Sequence, residues 1–274
     1  FGILGLLTNG FSKARYNQKE ISIFNTVMSS PMRNKCHFQH IEKSLTKTEC
    51  KYFGKTKPTL AIIGNSHATE LAYSIAKSLN SYNISISHFT ISQCKHNYQV
   101  VGEENTICSR WHEKVITKLI TNEIIKDVVI SYRNEYYLHD DKYKESLIKI
   151  INKLISHKKR VYLVLQAPLT GLHINKYLKR HSKTLYNPIT GISLQNWAEI
   201  YKGKNSLIRN IPSEVVVIDP SNHFCDLKNC FVTKNNKALY FDTNHMSIYG
   251  AKIITEEFRK YFDSKNNLKK ILSN

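Results

Sequence analysis

Two short segments of this 274-residue chain carry side chains able to do chemistry. From Leu60 to His67 the chain reads Leu-Ala-Ile-Ile-Gly-Asn-Ser-His, an apolar run that stops at a glycine and presents Ser66. From Phe241 to Ser247 it reads Phe-Asp-Thr-Asn-His-Met-Ser, which sets Asp242 three residues before His245. A hydroxyl, an imidazole and a carboxylate are the parts of a nucleophilic acyl-transfer site. In such a site the carboxylate fixes the imidazole tautomer, and the imidazole takes the proton of the hydroxyl. Each half is common by itself. A serine at the start of a helix is equally an N-cap, and an Asp and a His can simply flank a helix start.

The elements around these segments decide whether they can meet. Thr59 to Ile63 is a short apolar run of the kind found in buried strands. Ala68 to Leu79 places Leu71, Ala72, Ile75, Ala76 and Leu79 on one helix face. Strand patterns follow at Ile84 to Phe89, Asp127 to Ser131, Arg160 to Gln166 and Val215 to Ile218. Helical patterns follow at Cys108 to Ile120, Tyr143 to Ile155 and Ser247 to Phe262. Thr170 to Asn210 is less regular and reads as added helices or a long loop. Alternating strands and helices predict an α/β fold, a three-layer sandwich with a mostly parallel central sheet. Such sheets carry their sites at the carboxyl ends of the strands. The segments from Gly64 to His67 and Ser92 to Cys94, with Arg133, Asn134 and Pro168, all fall at such ends. Residues 1–55 are polar with little periodicity and read as an extension or linker packed on a main domain at 56–274.

Composition bounds the rest. The chain is long enough to bury a substantial core. No apolar stretch is long enough to cross a bilayer. The apolar start, Phe1 to Leu7, reads either as the tail of a membrane segment of a longer chain or as a buried strand. Forty Lys and Arg against 21 Asp and Glu give a formal charge of +19. The cations are scattered and no nucleic-acid motif or basic helix accompanies them, so a solvated basic surface, or attraction to an anionic glycan or membrane face, is expected rather than nucleic-acid binding. The six cysteines fall in three close pairs: Cys36 with Cys50, Cys94 with Cys108, and Cys225 with Cys230. Six cysteines allow 15 pairings, of which the sequence-adjacent one is the most economical. Disulfides point to an oxidising compartment; six buried thiols in a cytosolic enzyme is the alternative. No zinc pattern is present, so no metal is expected.

From about residue 58 to 262 the chain resembles the SGNH (GDSL-like) hydrolase superfamily. More narrowly, it is similar to the extracytoplasmic SGNH domain fused behind the acyltransferase-3 membrane domain of bacterial glycan O-acetyltransferases. The resemblance rests on Leu60 to Ala68, on the short loop from Cys225 to Cys230, and on Leu239 to Ala251. It implies a flavodoxin-like sheet, Ser66 as nucleophile, His245 as base and Asp242 as its partner. Three departures stand out. Asn65 replaces the usual Asp before the serine. The loop from Ile91 to Cys94 lacks the usual glycine, leaving the backbone N–H of Ser92 or Gln93 as oxyanion donor beside that of Ser66. The segment from Ser131 to Asn134 offers Asn134 as a side-chain donor, with Arg133 and Tyr132 as substrate contacts.

The resemblance further implies a periplasmic domain of an inner-membrane protein. Its membrane acyltransferase-3 partner, expected in the same parent chain, would deliver acetyl groups drawn ultimately from acetyl-CoA. No cofactor is then needed in this domain, which is expected to be monomeric in isolation. The expected acceptor is a cell-surface polysaccharide, first of all lipopolysaccharide O-antigen and second peptidoglycan. Two other readings stay open: a carbohydrate or lipid esterase with the same three residues, and a non-catalytic basic polyanion-binding module on a degenerate SGNH fold. His67 is expected to pack beside the helix start. His173, His181 and His223 have no partner by sequence. Trp111 and Trp197 are expected in packing, and the tyrosines between 132 and 137 either in the core or stacked on sugar.

Overall fold

The structure, a computed structural model, describes residues 16–39, 49–53, 55–135, 137–180 and 188–266. The apolar start, Tyr136 and His181 lie outside the described residues. The first elements are helices α1 (Gln18–Phe24) and α2 (Arg33–Cys36) and strands β1 (His37–Phe38), β2 (Cys50–Tyr52) and β3 (Leu60–Gly64). Then come α3 (Ala68–Leu79), β4 (Ile86–Ile91), α4 (Ile107–Thr121), β5 (Asp127–Ser131), α5 (Asp141–Ser156) and β6 (Arg160–Val164). The irregular region supplies α6 (Ile174–Arg180), β7 (Thr190–Ser193), α7 (Leu194–Ile200) and α8 (Gly203–Arg209). The chain closes with β8 (Val216–Ile218), α9 (Ser221–Phe224), β9 (Asn229–Phe231), β10 (Thr233–Lys234), β11 (Lys237–Ala238) and α10 (Ile248–Asn266).

The central sheet runs β1-β4-β3-β5-β6-β8, all parallel, with β2 antiparallel to β4. Its five main strands, renumbered in chain order from β3, lie 2-1-3-4-5, the flavodoxin-like order. In that order the winding reverses at β3, and the crevice beyond the carboxyl ends of β3 and β5 is the expected place for a site. The outer edge of β4 is shared by β2, opposite Ile86 to His88, and β1, opposite Thr90 and Ile91. A disulfide joins Cys36 to Cys50 beside these strands. The segment before residue 56 thus supplies the sheet's edge. Small antiparallel pairs, β7 with β9 and β10 with β11, stand apart from the main sheet.

Period-2 alternation divides the core. Leu60 and Ile62 of β3 pack with Leu71 and Ile75 of α3 and Ile254 and Phe258 of α10 on one face. Ala61 and Ile63 pack with Trp111 and Val115 of α4 and Leu147 and Ile151 of α5 on the other. A sheet apolar on both faces needs helices on both. Caps fix where those helices begin. Thr106 accepts the Ser109 N–H at 3.1 Å, and Asp140 accepts the Lys142 N–H at 3.1 Å.

Candidate active site

The turn carrying Ser66 depends on Gly64. A Cβ there would lie 1.9 Å from the Ser131 carbonyl oxygen and 2.7 Å from the Ala68 Cβ. Only a glycine lets the ends of β3 and β5 and the start of α3 approach this closely. The chain then turns through Asn65, Ser66 and His67, closed by the Ala68 N–H on the Asn65 carbonyl at 3.1 Å. The cap position of α3 is His67, whose side chain makes no capping bond. The Ser66 hydroxyl is not spent on the helix either. It lies 2.8 Å from His245 Nε2.

His245 and Asp242 sit on a tight loop bracketed by a bridge between Tyr240 and Met246. Asp242 Oδ1 accepts the backbone N–H groups of Asn244 at 2.9 Å and His245 at 2.8 Å. This is an Asx-type turn, in which a short carboxylate stands in for a backbone acceptor. Its other oxygen, Oδ2, lies 2.6 Å from His245 Nδ1. With the Nδ1 proton donated to Asp242, Nε2 is left to accept from Ser66. Burial alone would raise the Asp242 carboxyl. The hydrogen bond and charge of His245, with the two backbone donors, outweigh it and hold the carboxyl well below its ordinary range. The loop is tied to the segment before α6, where Thr170 donates its N–H to the Thr243 carbonyl at 3.0 Å and its hydroxyl at 2.7 Å. Ser247 caps α10, accepting the Gly250 N–H at 3.0 Å.

The two loops expected to face an oxyanion differ in detail from the sequence reading. The Ser92 N–H is donated to the Phe38 carbonyl at 2.8 Å, which removes it as a candidate. Gln93 is exposed and adopts φ +60°, the left-handed region that favours glycine. It therefore holds a glycine's conformation without being one. Asn134 is fully enclosed, its side-chain amide lying beside the buried His96 ring and the Tyr201 hydroxyl. The backbone of this loop is pinned by the Asn134 and Glu135 N–H groups on Gln166 Oε1, at 2.6 and 3.0 Å. Arg133 is partly exposed and pairs with Glu135 at 2.6 Å.

Tyr132 is not at the surface, which corrects its reading as a substrate contact. It follows Val128 and Ile130 at strand spacing, joins the same core cluster, and bonds His112 Nε2 through its hydroxyl at 2.9 Å. Tyr137 is half-buried, with the Lys95 ammonium 5.5 Å from its ring centre. Trp111 and Trp197 are wholly enclosed, as packing requires. His173 accepts the Asn175 N–H at 3.2 Å, and His223 lies 3.8 Å from Glu257. All three close cysteine pairs are bonded. The Cys94–Cys108 bridge anchors the Gln93 loop to the start of α4. Among the described residues no group of three His, Cys, Asp or Glu side chains could hold a metal ion, and no helix is long and apolar enough to cross a membrane.

Several further residues neighbour the site; apart from His67, which was expected beside the helix start, they were not singled out in the sequence. Phe241 stacks on the His245 ring, 5.4 Å between centres and 12° between planes. His67 packs on the imidazole's surroundings with ring centres 4.5 Å apart, and its Nε2 lies 3.1 Å from Asn244 Oδ1. Burial, with His245 and Arg133 nearby, holds His67 well below the ordinary histidine range, so it stays neutral. Glu70, in the first turn of α3, is buried against Arg33. Phe241 and Asn244 lie inside the Asp-His segment and were within reach of a sequence reading. Arg33 carried no local signal. The arrangement can deprotonate a serine hydroxyl, form an ester on it, and pass that acyl group to a second oxygen.

A family model described as "SGNH domain (fused to AT3 domains)" matches residues 35–260. No curated protein sequence matches the chain. Among solved structures, the periplasmic domain of a lipopolysaccharide acetyltransferase from Salmonella ser. Paratyphi A superimposes with a TM-score of 0.64 at 14% identity, covering 91% of this chain and 98% of that one. A putative acylhydrolase from Bacteroides fragilis has a TM-score of 0.45 at 13% identity, covering 81% and 94%. A GDSL-like lipase from Bacteroides thetaiotaomicron has a TM-score of 0.44 at 11% identity, covering 91% and 98%.

Proposed function

Because the chain belongs to the family of SGNH domains fused to AT3 domains, we propose that it passes an acetyl group, through an ester on Ser66, to a hydroxyl of a cell-surface polysaccharide. The observation that carries this reading is the unbroken line from the Ser66 hydroxyl to His245 Nε2 at 2.8 Å and from His245 Nδ1 to Asp242 at 2.6 Å.

In the first half-reaction Ser66 Oγ attacks the donor's carbonyl carbon while His245 takes the hydroxyl proton. Negative charge gathers on the carbonyl oxygen. The backbone N–H groups of Ser66 and Gln93 and the side-chain amide of Asn134 are its proposed donors. Each such donor is worth on the order of 3 kcal/mol of barrier. His245 then gives its proton to the leaving group as the old bond to the acyl carbon breaks. In the second half-reaction His245 takes the proton of the sugar hydroxyl, that oxygen attacks the acyl carbon, and Ser66 recovers its proton as it leaves. Asp242 stays ionised and holds the imidazole through both.

The family's fusion to AT3 domains supports a membrane partner that delivers acetyl groups originating in acetyl-CoA. Three disulfides support an extracytoplasmic, periplasmic position. The fold shared with a lipopolysaccharide acetyltransferase domain supports lipopolysaccharide O-antigen as acceptor, and the charge of +19 suits an anionic glycan or lipid surface. The test is a chromogenic acetyl ester supplied with and without an oligosaccharide acceptor, beside Ser66→Ala. Acetylated sugar that depends on Ser66 is the expected result. Ester lost only to water would make the domain an esterase, and unchanged turnover by Ser66→Ala would remove the nucleophile.

A further inference from the structure

We propose that Arg33 is a positioning residue for this site, one guanidinium that fixes the Ser66 turn and the Phe241–His245 stack relative to each other. The inference rests on the proposed role of Ser66, and it concerns a residue that precedes the segment matched by the family.

Arg33 uses its planar fork on two partners at once. Nε and Nη2 grip the Glu70 carboxylate at 2.8 and 2.5 Å, and Nη2 also donates to the Ser66 carbonyl oxygen at 3.0 Å. Glu70 is held from a third side by the Ser30 N–H at 3.0 Å, and its side chain is 1% exposed. The other face of the guanidinium lies 5.1 Å from the centre of the Phe241 ring, which stacks on His245. Ser66 and His245 stand 179 positions apart in the chain. Arg33 reaches the backbone of the first and the ring packed on the second.

The segment bearing Arg33 is itself strapped across the site. The Met28 carbonyl accepts the Ile248 N–H at 3.0 Å, Thr26 Oγ1 accepts the Ala238 N–H at 2.7 Å, and the Phe38 carbonyl accepts Ser92. Each of these partners borders a loop that carries a proposed site residue. Burial of one ion pair would explain Arg33 as a stability element, but it would not require a donor aimed at Ser66 or a face laid on Phe241. A lysine could keep the charge beside Glu70. A single ammonium lacks the flat fork that meets both Glu70 oxygens, the Ser66 carbonyl and the Phe241 face together.

The experiment compares native protein, Arg33→Lys, Arg33→Ala, Glu70→Gln and Ser66→Ala. It measures kcat and KM on a short acetyl ester, the fraction of active sites titrated by a fluorophosphonate, and the melting temperature. Arg33→Lys is expected to stay folded with KM within about twofold and kcat per titrated site down about 10- to 100-fold, the scale of a displacement near 1 Å. Methylguanidinium is expected to restore part of the rate to Arg33→Ala. If Arg33→Ala does not fold, Arg33→Lys and Glu70→Gln still decide, since Glu70→Gln keeps the donor to Ser66 and should lose less rate than Arg33→Lys. Native kcat per titrated site in Arg33→Lys, or losses that follow the melting temperature alone, would overturn the inference while an inert Ser66→Ala left the nucleophile standing. Native turnover by Ser66→Ala would instead bring down the reading on which it rests.

Discussion

Asn65 Oδ1 receives the backbone N–H of Arg133 at 3.1 Å, and so the end of β3 is pinned to the end of β5. The same oxygen takes the His67 N–H at 3.1 Å, while Nδ2 reaches the Cys94 carbonyl at 3.4 Å. One buried amide thus joins three loops of the site, and it does so because it both accepts and donates. An aspartate could accept the two N–H groups but would turn an oxygen toward the Cys94 carbonyl. Asn65→Asp is therefore expected to lose about 1 to 3 kcal/mol of stability. Asn65→Ala should lose more rate than stability, because three loops come free. Urea unfolding beside kcat on a short ester checks both.

Asp242 offers a test in pH. Its carboxyl titrates below the ordinary 3.8 in the folded chain, because the bonds from His245 and two N–H groups outweigh burial. The folded state therefore binds fewer protons than the unfolded state in the acid range. Its contribution to stability is complete above about pH 5 and is lost as pH falls toward the depressed value. Native protein should exceed Asp242→Asn by a constant margin in urea midpoint from pH 5 to 7, and the margin should shrink below pH 4. At neutral pH the substitution should cost up to about 10⁴-fold in kcat, as it does in serine proteases where the wrong tautomer results. A margin that grows on acidification would contradict the assigned hydrogen bonds.

Much of this was legible in the chain, and the exceptions have physical causes. Ala68–Leu79 and Asp127–Ser131 lie where periodicity puts them, because each has an unbroken apolar face. Helix α5 begins at Asp141 rather than Tyr143, because the cap at Asp140 extends it by a turn's edge. Strands of two or three residues, such as β1, β2 and β10, have no period to read; tertiary pairing alone makes them strands. Ser66, Asp242 and His245 were legible because each motif is local. Arg33 was not, since its partners at 66, 70 and 241 are distant in sequence. Tyr132 was misread although the signal was present: its parity matches Val128 and Ile130, which face the core.

Gly64→Ala tests the close approach beneath Ser66. The added methyl would meet backbone at 1.9 Å, not the end of a side chain that could swing away. The end of β3 must separate from Ser131, or α3 must shift with Ala68. The expected cost is about 3 kcal/mol or more, with loss of fluorophosphonate labelling even in the folded fraction. Thermal melts with site titration read the two effects separately.

The three disulfides should differ in what their loss does. Cys36–Cys50 and Cys94–Cys108 each close 14 positions, while Cys225–Cys230 closes 5. In the chain-entropy account the longer loops are worth about 3 kcal/mol each and the short one about 2. Their positions separate them further. Cys94–Cys108 holds the loop whose Gln93 occupies the left-handed conformation beside the site, so Cys94→Ser with Cys108→Ser should lower kcat as well as stability. Cys225–Cys230 joins the end of α9 to β9 and holds no residue proposed for the site, so the corresponding double serine variant should lose stability with kcat per titrated site within about twofold. Melting temperature and kcat on both variants decide it: equal kcat for the two would show that the Gln93 loop holds its conformation without its bridge, and would remove that bridge from the account of the site.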